Sequence, residues 1–161
     1  MKQPAAPTLY YKRSRFTTRL PTDRHYTASH YWLLEEESSL WRVGLTKFAL
    51  RMMGDLVEYS VVVSGNERIE IGQVIGTVEG LKAVSDLYGI VQGKFLRSNP
   101  DLDRDITLVD HDPYGRGWLY QARGEPEPQN FDVQGYVSVL DAIIDRMLRE
   151  RHEGAGDSAE G

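Results

Sequence analysis

The chain has 161 residues, a mass of 18.3 kDa, a net charge of −5 and no cysteine. That length suits one domain with a real core, and the lack of cysteine excludes disulfides, cysteine metal ligands and a thiol nucleophile. Hydrophobic residues are 40% and charged residues 27%, an ordinary globular composition, and no apolar run approaches the length of a membrane span or of a secretory signal core.

The charge is unevenly spread. Residues 1–24 hold six basic side chains (Lys2, Lys12, Arg13, Arg15, Arg19, Arg24) against Asp23, so the arm is +5 and the remainder −10. An acidic body argues against nucleic acid as the main partner. The basic arm fits a surface segment of a cytoplasmic bacterial protein. Its Arg-rich, acid-poor composition also fits a transit peptide, which would imply the mitochondrial matrix. Leu9, Tyr10, Tyr11, Phe16 and Leu20 are too many apolar groups to stay in water, so part of the arm is expected to pack on the body.

Residues 1–8, with Pro4 and Pro7, are expected to be disordered. Tyr31-Trp32-Leu33-Leu34 predicts a strand, Glu35 to Ser39 an acidic turn, and Leu40 to Leu45 a second strand, which together make a hairpin. Thr46 is a good N-cap for a short helix in which Phe48 and Met52, and Ala49 and Met53, are spaced by four, and Gly54 stops it. Asp55 to Val63 alternates as a strand and Ser64-Gly65-Asn66 is a turn. Ile90 to Leu96 is another strand, Asp101 to Asp105 an acidic loop, Ile106 to Val109 an apolar stretch, Asp112 to Gly115 a turn, and Trp118 to Ala122 the last strand. Gly124 to Gln129 is a Pro-Glu linker. Asp132 caps a closing helix over about 132–150, with Tyr136, Leu140, Ile143 or Ile144, Met147 and Leu148 on one face. Residues 151–161 are expected to be a disordered tail, leaving 25–150 as one domain. Many short strands with one internal and one terminal helix predict a mainly β fold with helical trim.

The organising stretch runs from Ile69 to Tyr88. Val74 to Glu79 alternates as a half-buried strand, and a second strand starts at Val84. Gly80-Leu81-Lys82-Ala83 joins them as a tight turn, with Lys82 at or beside the tip. A lysine there is ordinarily a solvated turn residue. The functional alternative is a lysine held on a rigid mount for an enzyme to modify. His25, His30, His111 and His152 have no metal-ligand spacing, no paired nucleophile is evident, and Trp32, Trp41 and Trp118 suit a core.

Glu79-Gly80-Leu81-Lys82-Ala83-Val84-Ser85-Asp86 resembles the lipoyl-attachment segment of the glycine cleavage system H protein family, which typically reads Glu-Ser-Val-Lys-Ala-x-Ser-Asp. The biotinyl carriers place Met on both sides of their lysine, and here Leu81 and Ala83 stand there. Other pieces agree in order over about 25–150: Ser29-His30-Tyr31-Trp32, Val43-Gly44-Leu45-Thr46-x-x-Ala49, Gly54-Asp55-Leu56-Val57, Asn99-Pro100 and Asp112-Pro113-Tyr114-Gly115-x-Gly117-Trp118-Leu119. The resemblance implies the lipoyl-domain barrel-sandwich hybrid, two small sheets packed face to face. It implies a monomeric, non-catalytic carrier bearing lipoate on Lys82, with Glu79 and Gly80 in the attachment segment. The implied cargo is an aminomethyl group. The implied partners are a PLP-dependent glycine decarboxylase, an aminomethyltransferase, dihydrolipoamide dehydrogenase, and a lipoate ligase or lipoyl/octanoyl transferase.

The departures are Gly80 for the usual Ser, Leu81 for Val, a longer basic arm, and Tyr31 where the family commonly has Glu. By resemblance, Ser29, His30, Tyr31 and Asp86 are the candidates for a cleft that shelters the cargo. An ammonium there needs acceptors, and Tyr31 offers only a neutral hydroxyl, so Glu79 and Glu35 are possible substitutes. Two other roles fit the same lysine: a lipoyl relay or donor to other complexes, or an unlipoylated scaffold.

Overall fold

The computed structural model describes residues 7–160, with side chains over 7–154. The strands are β1 (Thr8–Arg13), β2 (Phe16–Pro21), β3 (His25–Thr27), β4 (Tyr31–Glu37), β5 (Leu40–Leu45), β6 (Leu56–Val61), β7 (Arg68–Ile69), β8 (Val74–Gly80), β9 (Val84–Tyr88), β10 (Val91–Ser98), β11 (Tyr120–Pro126) and β12 (Asn130–Phe131). The helices are α1 (Lys47–Met53), α2 (Leu108–His111) and α3 (Val133–Glu160). A seven-stranded sheet in the order β12-β3-β4-β5-β11-β10-β7 curls against a three-stranded sheet β6-β8-β9, and β1-β2 form a separate hairpin. All pairings are antiparallel. The mainly β fold with a closing helix is the expected class, with α2 a second short internal helix beyond the one expected.

Strand alternation divides the interior into two cores. Along β4, Tyr31 and Leu33 point into a cluster with Val43, Leu45, Ile75, Val78 and Leu87 between the sheets. The intervening Trp32 points the other way, into a second cluster with Tyr26, Phe48, Trp118, Tyr136 and Leu140 beneath α3. Gly44, paired with Trp32, has no room for a Cβ because the indole occupies that space. The indole N–H donates to the Pro113 carbonyl at 3.0 Å, and the Arg24 guanidinium lies 4.8 Å from the ring centroid.

Several boundaries differ from the sequence expectation. The stretch Glu35 to Glu37 is strand, and the turn is confined to Ser38-Ser39. Glu36 is the bulged residue between the paired Glu35 and Glu37, and its carboxylate accepts from Arg42 at 3.0 and 3.1 Å and from Gln121 at 2.6 Å across neighbouring strands. The first half of the Pro-Glu linker is the end of β11, whose Gly124 and Pro126 pair with Gly93 and Val91. The acidic loop winds into a 3-10 turn over Pro100–Asp103, capped by Asn99. In α1 the buried face is Phe48, Ala49, Leu50 and Met53, while Met52 is exposed. The reason is that α1 lies between the cores, with Phe48 facing one and Ala49, Leu50 and Met53 the other.

The basic arm packs, as expected, but as an antiparallel hairpin. Tyr11, Phe16 and Leu20 enter the second core. Arg13 makes a two-pronged ion pair with Asp145 of α3 at 2.8 Å, and the Tyr11 hydroxyl donates to Asp141 at 2.8 Å. Nothing here supports a transit peptide: β1 and β2 are integral to the packed domain. The disorder expected for 1–8 lies outside the described residues except for Pro7 and Thr8. The expected tail is corrected in part, because α3 continues to Glu160. Arg149 to Glu153 holds no proline, so nothing stops the helix near residue 150. Residue 161 is outside the described range.

The buried face of α3 is Tyr136, Leu140 and Ile144. Leu140 is fully buried, so Leu140→Ala should cost about 2–5 kcal/mol by transfer and cavity terms together. Urea unfolding of the variant checks this, and a midpoint like that of the parent would contradict the packing.

Candidate functional site

The lysine turn is built on the end of α1. Thr46 caps the helix, its hydroxyl accepting from the Ala49 N–H at 3.3 Å. A helix leaves its last carbonyls without internal partners. The turn supplies donors: the Lys82 N–H donates to the Met53 carbonyl at 2.8 Å, and the Leu81 N–H to the Asp55 carbonyl at 3.0 Å. Gly80 N–H closes the turn on the Ala83 carbonyl at 2.9 Å. Gly80 itself is buried so tightly that a Cβ would collide with the carbonyl oxygens of Met53 and Gly54. The turn is therefore pinned to α1 by its backbone, while the side chains of Leu81, Lys82 and Ala83 are exposed.

Lys82 sits between two exposed apolar residues, Leu81 at 73% and Val84 at 68% exposure. Its stem lies low. Lys82 Cγ and Cδ would be 3.0 and 3.4 Å from a Cβ placed on Gly54, whose φ of +73° and missing side chain make that path open. The stem borders a cleft of about 450 Å³ between β2, α1 and α2. Leu50 and Leu56 supply apolar wall, Lys47 and Arg51 cations, and Asp55 and Asp110 carboxylates. Asp110 accepts the Leu56 N–H on Oδ2 at 3.0 Å. Partial burial, with Asp55 adding to it, holds its carboxyl above the usual range, against the Leu56 N–H, Lys47 and His111.

The other residues expected at the site are distributed differently. Glu79 is exposed on β8 opposite Val84 and Glu58. Asp86 is exposed on β9 opposite Thr77. Tyr31 is only 3% exposed, and its hydroxyl oxygen accepts the Tyr88 N–H at 3.1 Å. Burial pushes this phenol up to about 12, with the Asp86 charge assisting and the Tyr88 N–H opposing. Tyr31 and Asp86 are thus within electrostatic reach of each other, but the ring is packed in the core. Ser29 is exposed and bonds Thr27 at 2.9 Å. Glu35 is exposed and caps the Ser39 N–H at 3.1 Å.

His30 turns away from β9. At φ +70°, its Nδ1 is 2.9 Å from the Tyr136 hydroxyl, which is 2.8 Å from the Thr46 hydroxyl. A chain of bonds thus ties α3 to the N-cap of α1. Among the described residues, no group of three His, Asp or Glu side chains could hold a metal ion. Asp110 went unnoticed in the sequence, where it is one acid in a run with His111 and Asp112. The available signal was an acid following the apolar Leu108-Val109 pair.

Two measurements test this mount. Burial lowers His30 from 6.5 to about 4. The unfolded chain therefore binds a proton that the folded chain refuses, and the stability His30 confers at neutral pH is lost as pH falls from 6.5 toward 4. Between roughly pH 7.5 and 5 the loss should be about 1–2 kcal/mol, and His30→Asn, which tolerates positive φ, should remove that slope. Equal slopes for parent and variant would contradict a buried neutral imidazole. Separately, Gly80→Ala should cost about 1–3 kcal/mol, because the methyl must push the turn off α1. Hydrogen exchange at the Lys82 amide should rise with it, and an unchanged exchange rate would contradict the pinned turn.

Comparison with known proteins agrees with this architecture. The family model for the glycine cleavage H-protein matches residues 24–134. A glycine cleavage system H protein of Mycobacterium tuberculosis (strain H37Rv) is 38% identical over 126 residues, spanning 78% of this chain and 90% of that protein. One of Mycobacterium leprae is 44% identical over the same coverage. The crystal structure of a glycine cleavage system H protein from Mycobacterium marinum superposes with a TM-score of 0.66 at 31% identity, covering 74% of this chain and 97% of that one. With the matching turn, sheets and closing helix in place, the chain belongs to the glycine cleavage H-protein family.

Proposed function

We propose that this chain is a carrier that bears lipoate on Lys82 and moves an aminomethyl group among the glycine decarboxylase, aminomethyltransferase and dihydrolipoamide dehydrogenase of glycine cleavage. The observation that carries this is one exposed lysine on a backbone-pinned turn, in the attachment segment of a family member. The residues fit the group: Nζ has an open path over Gly54, and no neighbouring side chain covers the turn. Lipoate joined there by an amide would supply two sulfurs, one to bear the one-carbon amine and both to be reoxidised.

The protein's own residues do three things. Lys82 provides the amide nitrogen and loses its charge in doing so. Gly80 and the two bonds to Met53 at the end of α1 and to Asp55 just beyond it hold the attachment point still, so a modifying enzyme meets a fixed backbone. Leu81 and Val84 give that enzyme exposed apolar contact on either side of the lysine. Successive partners then reach one tethered group, which raises its effective concentration at each. No step requires a catalytic side chain on this chain.

The test is Lys82→Arg, which keeps the charge and cannot form the amide. It should take no lipoate from a lipoate ligase and accept no carbon from glycine and glycine decarboxylase. Lipoate on Lys47 or Lys94 instead, or a fully active variant, would sink the assignment. If the lipoylated parent cannot be loaded by the decarboxylase, a relay that donates lipoate to other complexes takes the carrier's place.

A further inference from the structure

We infer that the lipoyl arm rests in the cleft between β2, α1 and α2, and that Asp110 is the acceptor for a cationic group carried at its end. This rests on the proposed attachment at Lys82.

Three observations converge. First, Lys82 itself lines this cleft, its stem occupying the space that a side chain on Gly54 would need. An arm extended along that line meets Leu50, Leu56 and Phe16, which suit its methylenes. Second, the wall expected to receive the cargo is occupied by its own side chains. The Tyr31 ring fills the core beside Leu45 and Ala49, with its oxygen engaged by Tyr88 N–H, and His30 is drawn to Tyr136. Third, Asp110 lines the cleft in a half-buried position. Its Oδ2 holds the Leu56 N–H, and among the described residues no hydrogen bond engages Oδ1. A partly desolvated carboxylate binds an ammonium more strongly than a solvated one such as Asp86, because less water competes. Lys47 and Arg51 balance Asp55 and Asp110 in the same cleft, so the site would hold a cation without trapping it.

The hairpin gives this cleft its outer edge. Phe16 and Thr17 of β2 line it, and both precede the family-matched region that starts at residue 24. The additional arm therefore completes a shelter for the lipoyl group, with Leu50 and Leu56 from the edge of the Tyr31 core on one wall and Phe16 and Thr17 of the hairpin on the other.

The experiment compares amide spectra of the full chain before and after lipoylation, with modification verified by intact mass. Shifts should appear at Leu50 to Leu56, Thr107 to His111 and Thr17. Shifts confined to Glu79 to Asp86, or appearing instead at Ser29 to Tyr31 and Asp86 to Tyr88, would overturn the proposal. A second readout uses Asp110→Asn, whose amide oxygen can still accept the Leu56 N–H. In the loaded carrier it should speed spontaneous ammonia release on the order of tenfold, one charge-assisted contact, with Asp86→Asn unchanged. The reverse pattern would also overturn it. A chain that is lipoylated with the expected shifts but cannot be loaded defeats the carrier function and leaves the cleft assignment standing. A chain that loads normally with shifts elsewhere does the opposite.

Discussion

The last carbonyl of α1 decides where this protein presents its lysine. Met53 would leave that oxygen unpaired at the end of a seven-residue helix, and the Lys82 N–H satisfies it at 2.8 Å. Helix and turn hold each other, since neither a helix so short nor a two-stranded hairpin is stable alone. The constraint then propagates. Thr46 at the other end of α1 caps the helix and meets Tyr136 of α3, which also takes His30. Tyr136 in turn stacks on Tyr26 with ring centroids 4.6 Å apart. The lysine turn is thus fixed through α1 to the closing helix rather than through its own strands alone.

The same chain of contacts explains how the protein tolerates its departures from the family pattern. A side chain at position 80 would hit α1, so glycine there matches the closeness of the turn to the helix. Tyr31 is not a weakened version of a surface carboxylate. It is a core residue of β4 whose hydroxyl satisfies the backbone of Tyr88 at the end of β9. With an aromatic ring in that place, the carboxylates in the cleft beside the lysine are those of Asp55 and Asp110, and Asp110 is half-buried and fixed by the Leu56 N–H.

Much of this was legible in the sequence because it is local. Thr46 and Gly54 bracket α1, the apolar run Tyr31 to Leu34 marks β4, alternation over Val74 to Glu79 marks β8, and Gly80 with Lys82 marks the turn. What was not legible depends on partners far along the chain. Strands β3 and β12 are too short to have a period, and form by pairing with each other at Tyr26–Phe131 and Thr27–Asn130 and, for β3, with β4. Glu36 looked like a turn residue until Arg42 and Gln121 bonded it from neighbouring strands. The arm's apolar residues predicted packing, but only Asp141 and Asp145 on α3 say where. Asp110 acquires meaning from Leu56 and the cleft, which no spacing rule connects to Lys82.

The central claim is that the pinned turn exists to display one modifiable lysine. Peptide-level mass analysis of the protein purified from its own cells tests it most directly. The expected result is the mass of one lipoyl group, located on the peptide containing Lys82 and on no other lysine. A chain whose Lys82 is uniformly unmodified in cells that carry out glycine cleavage would contradict it, and would leave the fold as a scaffold without its cargo arm.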